Sequence, residues 1–156
     1  MKITSTAFHD GKSIPTKYAD YGVTGGKNIS LPFNWTDVPP ETKSFALSIV
    51  DPHPVAKNWI HWFVINIPST VTSLPEGASQ NSMPHGAKEL FNTDNALGYS
   101  GPAPPKGSGT HPYVATIFAL NVEKIDLSGK TTLSQFNKAL EGKIIASATI
   151  TGLYER

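Results

Sequence analysis

Apolar and polar positions alternate along much of this chain with the period of a β-strand. Phe45, Leu47 and Ile49 alternate with Ala46, Ser48 and Val50, so one face of the element is strongly apolar and the other weakly so, as in the interior of a sandwich. Residues 62–67 are apolar on both faces, the pattern of a central strand covered on two sides, and Pro68 stops the run. Residues 113–120 repeat the theme, and residues 144–151 alternate almost strictly. Shorter strands are predicted over 3–8 and around 29–31.

One stretch has helical punctuation. Leu133, Phe136 and Leu140 fall at i, i+3 and i+7, Thr132 and Gln135 have capping-box spacing, and Gly142 can take the left-handed closing position. The spacing predicts a helix over 133–141. The segment 68–98 is polar and turn-rich, with reversals at 74–77 and 83–86, and reads as an irregular excursion. With no repeat, linker or low-complexity run, residues 1–156 read as one mainly β domain with one late helix.

Composition narrows the functional classes. A chain of 156 residues can bury a self-sufficient core. Only 16% of residues are charged, while 13 glycines and 13 prolines imply many turns. The formal charge is +1 and the lysines are scattered singly, so no basic stripe exists to displace counterions from a nucleic acid. Absence of cysteine excludes disulfides, thiolate metal sites and cysteine nucleophiles. No run of eighteen apolar residues predicts membrane insertion. The first residues alternate rather than forming the apolar core of a signal peptide, from which a cytoplasmic protein is expected.

Polar chemistry gathers at the ends of the predicted strands. Asp51 follows one strand and precedes Pro52, which pushes its neighbour into extended geometry and aims the carboxylate at the end of a sheet; Asp51 can equally cap a turn. His61 opens a strand between Ile60 and Trp62, where it can be a ligand or a packed core histidine. His111 and Tyr113, two apart, project to one face. The loop before them, 98–109, holds four glycines and three prolines, including Gly101, Pro104 and Pro105. It can form a nest of N–H groups open to a ligand, or an ordinary long turn.

No His-Glu-x-x-His motif is present, so no metal or other cofactor is expected. No Gly-x-Ser-x-Gly elbow is present, so a serine hydrolase would need Ser100 or Ser108 brought to a base by the fold. Acid–base work by His61 or His111 with Asp51 orienting the ring stays open. Binding a small anion through imidazoles, a tyrosine hydroxyl and loop amides fits the inventory better, with Asp51 kept behind an imidazole so that it does not repel the guest.

Asp51-Pro52, Asn58-Trp59-Ile60-His61-Trp62, the run from Gly98-Tyr99-Ser100-Gly101-Pro102 to Gly107, and His111-Pro112-Tyr113 together resemble the phosphatidylethanolamine-binding protein family, in its bacterial and archaeal Raf-kinase-inhibitor-like branch. The resemblance extends over nearly the whole chain. It implies a sandwich of two antiparallel sheets with one or two short helices, and a small anion pocket lined by Asp51, His61, the loop 101–105, His111 and Tyr113. Two departures stand out. Asp51-Pro52-His53-Pro54 replaces a segment with a second acid, which implies a less negative rim, and Pro112 replaces an arginine.

The expected function is therefore non-enzymatic binding of phosphate, a phosphorylated group or a carboxylate, with a regulatory role. The alternatives are a module that inhibits a protease or kinase, and a weak hydrolase that uses His61 or His111 as base. The resemblance also implies homodimers, for which no stripe in this chain marks an interface.

Overall fold

The computed structural model describes residues 1–156. Its strands are β1 (Lys2–Thr4), β2 (Lys12–Ser13), β3 (Phe33–Thr36), β4 (Ser44–Asp51), β5 (Trp59–Pro68), β6 (Ser73–Leu74), β7 (Lys88–Glu89), β8 (His111–Leu120) and β9 (Ile144–Tyr154), with helix α1 (Leu133–Leu140) before the last strand and a single 3-10 turn at Thr16–Tyr18. A three-stranded sheet in the order β1-β3-β6 faces a six-stranded sheet in the order β2-β9-β8-β4-β5-β7. All pairings are antiparallel except that of β2 with β9. This is the expected sandwich of two sheets.

The faint apolarity of the second face of β4 has a physical cause: both faces are covered. Phe45, Leu47 and Ile49 meet Phe33 and Trp35 of the small sheet in one core, and Ala46 and Val50 join Phe63, Ile65, Phe136 and Leu140 in a second core under α1. The helix docks through Phe136, whose ring stacks on Phe63 at 4.1 Å between centroids. Thr132 and Gln135 form the expected capping box, and Gly142 closes the helix at φ 72°.

Other expectations are corrected. Residues 29–31 form no strand: Pro32 has no N–H to give, and the Ser30 carbonyl and hydroxyl accept the Gly77 and Ser79 amides of a neighbouring loop instead of a ladder partner. The strand expected over 3–8 ends at Thr4, because Ser5 Oγ binds the Ala7 amide and the Pro32 carbonyl. The strand that pairs with it, β3, is only four residues long and shows too few alternations to be read. The strand expected over 62–67 is covered on both faces and paired on both sides, by β4 and by the two-residue β7. The excursion 68–98 contributes β6 and β7, one to each sheet.

The arrangement that matters for function is the neighbourhood β5-β4-β8. Antiparallel pairing sets the carboxyl end of β4, Asp51, beside the amino ends of β5 and β8, where His61 and His111 lie. No helix of the chain is long and apolar enough to cross a membrane.

Because Phe136 is the fully buried plug between α1 and the large sheet, Phe136→Ala should lower unfolding free energy by about 3–5 kcal/mol. Denaturant titration measures it; a loss below about 1 kcal/mol would show that α1 is not held by this contact.

Candidate functional site

A cavity of about 320 Å³ opens at this rim. Its walls include Asp51, His61, Gly101, Pro104, Pro105, His111 and Tyr113, so every site residue named from the sequence lies at one place. Val55, Ala56 and Trp59 form an apolar side, and Asp20 and Asp94 complete the mouth.

Asp51 and His111 form the base of the site. The carboxylate Oδ2 accepts a hydrogen bond from His111 Nδ1 at 2.6 Å, and Oδ1 accepts the His53 amide at 2.8 Å. Both groups are buried, so the carboxylate fixes the imidazole tautomer with its proton on Nδ1. The other ring nitrogen, Nε2, lies 2.9 Å from Ser108 Oγ. The His53 ring stacks on His111 with centroids 3.8 Å apart, held there by the turn that gives the His53 carbonyl to the Ala56 and Lys57 amides. His53, met in the sequence only as a departure from a motif, is thus a lid on a buried histidine.

His61 owes its direction to a β-bulge. Ile49 pairs with Trp62 and Val50 with Ile60, which leaves His61 as the extra residue of β5. Ile60 and Phe63 face the helix-side core and Trp62 the sandwich core, while His61 turns to the cavity and meets Tyr113 edge-on at 4.9 Å. Its Nδ1 donates to the Ser100 carbonyl at 2.7 Å. Burial lowers the His61 pKa from its usual value, outweighing the Ser100 carbonyl and the charges of Asp51, Asp94 and Asp20, which raise it. The neutral ring therefore turns the lone pair of Nε2 outward. Burial raises the Tyr113 phenol far above its ordinary range, with the Asp51 charge adding, so its hydroxyl keeps its proton.

The loop 98–109 departs from expectation. Gly101 does not open a path for a ligand: its N–H is taken by Asn28 Oδ1 at 2.7 Å, and a Cβ there would lie 2.2 Å from the Tyr18 carbonyl oxygen. The close approach is to the chain's own backbone, which the Asp20 amide fastens by donating to the Pro102 carbonyl. With three prolines in 101–105, only Ala103 keeps an amide without an acceptor in the chain. Within 101–105 the N–H groups open to a ligand are thereby reduced to one.

Asp20 and Asp94 were invisible to sequence reasoning because each sits in an ordinary turn. Their carboxylates are held locally, Asp20 by the Gly22 amide and Asp94 by the Ser100 hydroxyl. Only the docking of 18–20 against Gly101 and of 92–98 against β5 brings them to the mouth. The rim is consequently more acidic than the loss of a second acid near Asp51 implied. No group of three or more acidic or histidine side chains is arranged to hold a metal ion.

The family model described as phosphatidylethanolamine-binding protein matches residues 4–155. The UPF0098 protein of Aquifex aeolicus is 38% identical over 156 residues, covering 100% of this chain and 89% of the relative. The Escherichia coli UPF0098 protein YbhB is 35% identical over 158 residues, covering 99% of each chain. Among solved structures, E. coli YbcL, described as a new member of the mammalian PEBP family, superposes with a TM-score of 0.92 at 36% identity over 99% of this chain and 98% of its own. A PEBP homolog from Chlamydia trachomatis gives 0.85 at 37% identity over 99% and 97%.

A histidine buried neutral binds fewer protons folded than unfolded, so its contribution to stability falls as pH drops through the unfolded value near ~6.5. Chemical denaturation between about pH 7.5 and about pH 5.5 should therefore show a larger acid loss for the wild type than for His61→Gln. Parallel curves would mean that His61 is not desolvated.

Proposed function

The chain belongs to the phosphatidylethanolamine-binding protein family, and from that premise we propose that it binds a small phosphate-type anion in the cavity at the β5-β4-β8 rim, with a regulatory output. The observation that carries the proposal is the set of hydrogen-bonding atoms left free there. Tyr113 keeps its proton, the Ala103 amide lacks an acceptor, and His61 Nε2 can take up a proton when an anion arrives. His111, contrary to the sequence expectation, is not a free donor, since both ring nitrogens are engaged. Its role is to hold Asp51 by a hydrogen bond behind the guest.

The cavity wall contains no lysine or arginine, and Asp20 and Asp94 stand at its mouth. Like charges there disfavour bare phosphate, whereas a phosphate ester with a cationic arm can set the arm against the two carboxylates. The ligand class proposed is thus a phosphorylated head group with an attached amine, in keeping with the family's name. The apolar side formed by Val55, Ala56 and Trp59 suits a short alkyl portion.

A second reading, inhibition of a protease or kinase by the surface around the cavity, is favoured by the exposure of Val55 (53%) in the cavity wall and of Tyr21 (75%), next in the chain to Asp20 of that wall. Stoichiometric inhibition of a protease or kinase panel that survives His61→Gln but fails in a Tyr21→Ser, Val55→Ser variant would support it; no inhibition would remove it.

Calorimetric titration should give tighter binding of 2-aminoethyl phosphate than of inorganic phosphate, with proton uptake and with affinity falling as pH rises, the fall beginning below the usual histidine range because burial lowers the His61 pKa. His61→Gln should weaken binding by roughly tenfold or more and flatten the pH dependence. Asp20→Asn with Asp94→Asn should narrow the preference for the amine. Absence of binding by either compound at millimolar concentration and pH below neutrality would overturn the proposal.

A further inference from the structure

Beyond any binding role, the geometry points to a nucleophilic serine: Ser108, served by His111 and oriented by Asp51, can take an acyl group from a small activated ester. The three groups form a continuous line, with Asp51 Oδ2 to His111 Nδ1 at 2.6 Å and His111 Nε2 to Ser108 Oγ at 2.9 Å. A nucleophile, a base within hydrogen-bond reach and a buried group that fixes the base are the parts that acyl transfer requires. The sequence offered no elbow motif; the fold supplies the base instead.

Burial favours this arrangement. His111 is fully buried and Asp51 nearly so, and the His53 ring covers one imidazole face, so the tautomer with Nε2 toward Ser108 is held without competition from water. Ser108 itself is partly exposed, between Gly107 and Gly109, both at positive φ. A Cβ built on either glycine would meet nothing within 4 Å, so the chain on both sides of Ser108 borders open space. The Gly109 amide has no acceptor in the chain and belongs to the residue after the nucleophile, the position from which such sites draw an oxyanion donor. At rest the hydroxyl also has the Pro105 carbonyl within 2.6 Å, and rotation about Cβ–Oγ transfers its proton from that acceptor to Nε2.

The reaction balances with water as the only co-reactant. Ser108 Oγ bonds to the ester carbonyl carbon while its proton moves to His111 Nε2, and the carbonyl electrons move to oxygen. Collapse of that intermediate breaks the bond to the leaving alcohol or phenol, which departs with the Nε2 proton and leaves an acyl ester on Ser108. Water then repeats the sequence against the acyl group, releases the acid and restores the hydroxyl. Asp51 is a positioning residue in this scheme, and Ser108 and His111 are the catalytic residues.

The full chain treated with an alkyl fluorophosphonate, and separately with 4-nitrophenyl acetate, should carry one adduct by intact mass, mapped to Ser108 by peptide sequencing. Ser108→Ala, at a partly exposed position, should lose that adduct. Asp51→Asn, with its circular dichroism spectrum checked, should label at least about a hundredfold more slowly. Failure to find an adduct on Ser108 in the wild-type chain, a finding that needs no variant to fold, would overturn the inference. So would modification confined to lysine or tyrosine, or an unchanged labelling rate in folded Asp51→Asn.

Discussion

The hydrogen bond between Asp51 and His111 joins the end of β4 to the start of β8 inside a nearly dry rim, and the rest of the site is arranged around it. A buried carboxylate is tolerated only when its charge and both its oxygens are answered; leaving such a group without its partner costs about 3–5 kcal/mol. Here one oxygen takes the imidazole and the other takes the His53 amide. The same two contacts fix the turn after β4, the stacked position of His53 and the tautomer of His111. A stability requirement and a chemical one are thus met by a single pair.

That pair also explains why the site is asymmetric. His111 faces a carboxylate and a hydroxyl and has no ring nitrogen left, whereas His61, twisted inward by a bulge, faces a carbonyl and keeps one nitrogen open to the cavity. One histidine is thus built into the wall, and the other presents a nitrogen to the cavity. Asp20 and Asp94 make the mouth acidic, and Val55, Ala56 and Trp59 make one side apolar. Ser108 meets the ring nitrogen of His111 that Asp51 leaves, so the carboxylate and the hydroxyl occupy opposite sides of the same ring.

Strand positions 45–50, 62–67, 113–120 and 144–151 were legible because two-faced burial and strict alternation leave long, unambiguous patterns. The helix was legible because its caps are local, with Thr132, Gln135 and Gly142 acting within one turn of the element they close. The short strands were not. Two to four residues hold too little alternation to register, and Ser30 and Ser5 show why apolar neighbours failed to predict strands: side-chain and loop hydrogen bonds took the place of the ladder. Gly101 was read correctly as a close-approach residue but for the wrong partner, since a glycine's missing side chain tells nothing of whether ligand or backbone fills the space.

By itself the sequence determined the mainly β fold, the late helix and the identity of the polar residues at the strand ends, because each rests on periodicity, capping or a motif written in adjacent positions. Tertiary structure alone decided that His111 has both ring nitrogens engaged while His61 keeps one free, that Asp20 and Asp94 close the mouth, and that Ser108 reaches His111. Those are outcomes of register, of one bulge and of one loop docking on another. They depend on distances between segments far apart in the chain, and no local pattern encodes such distances.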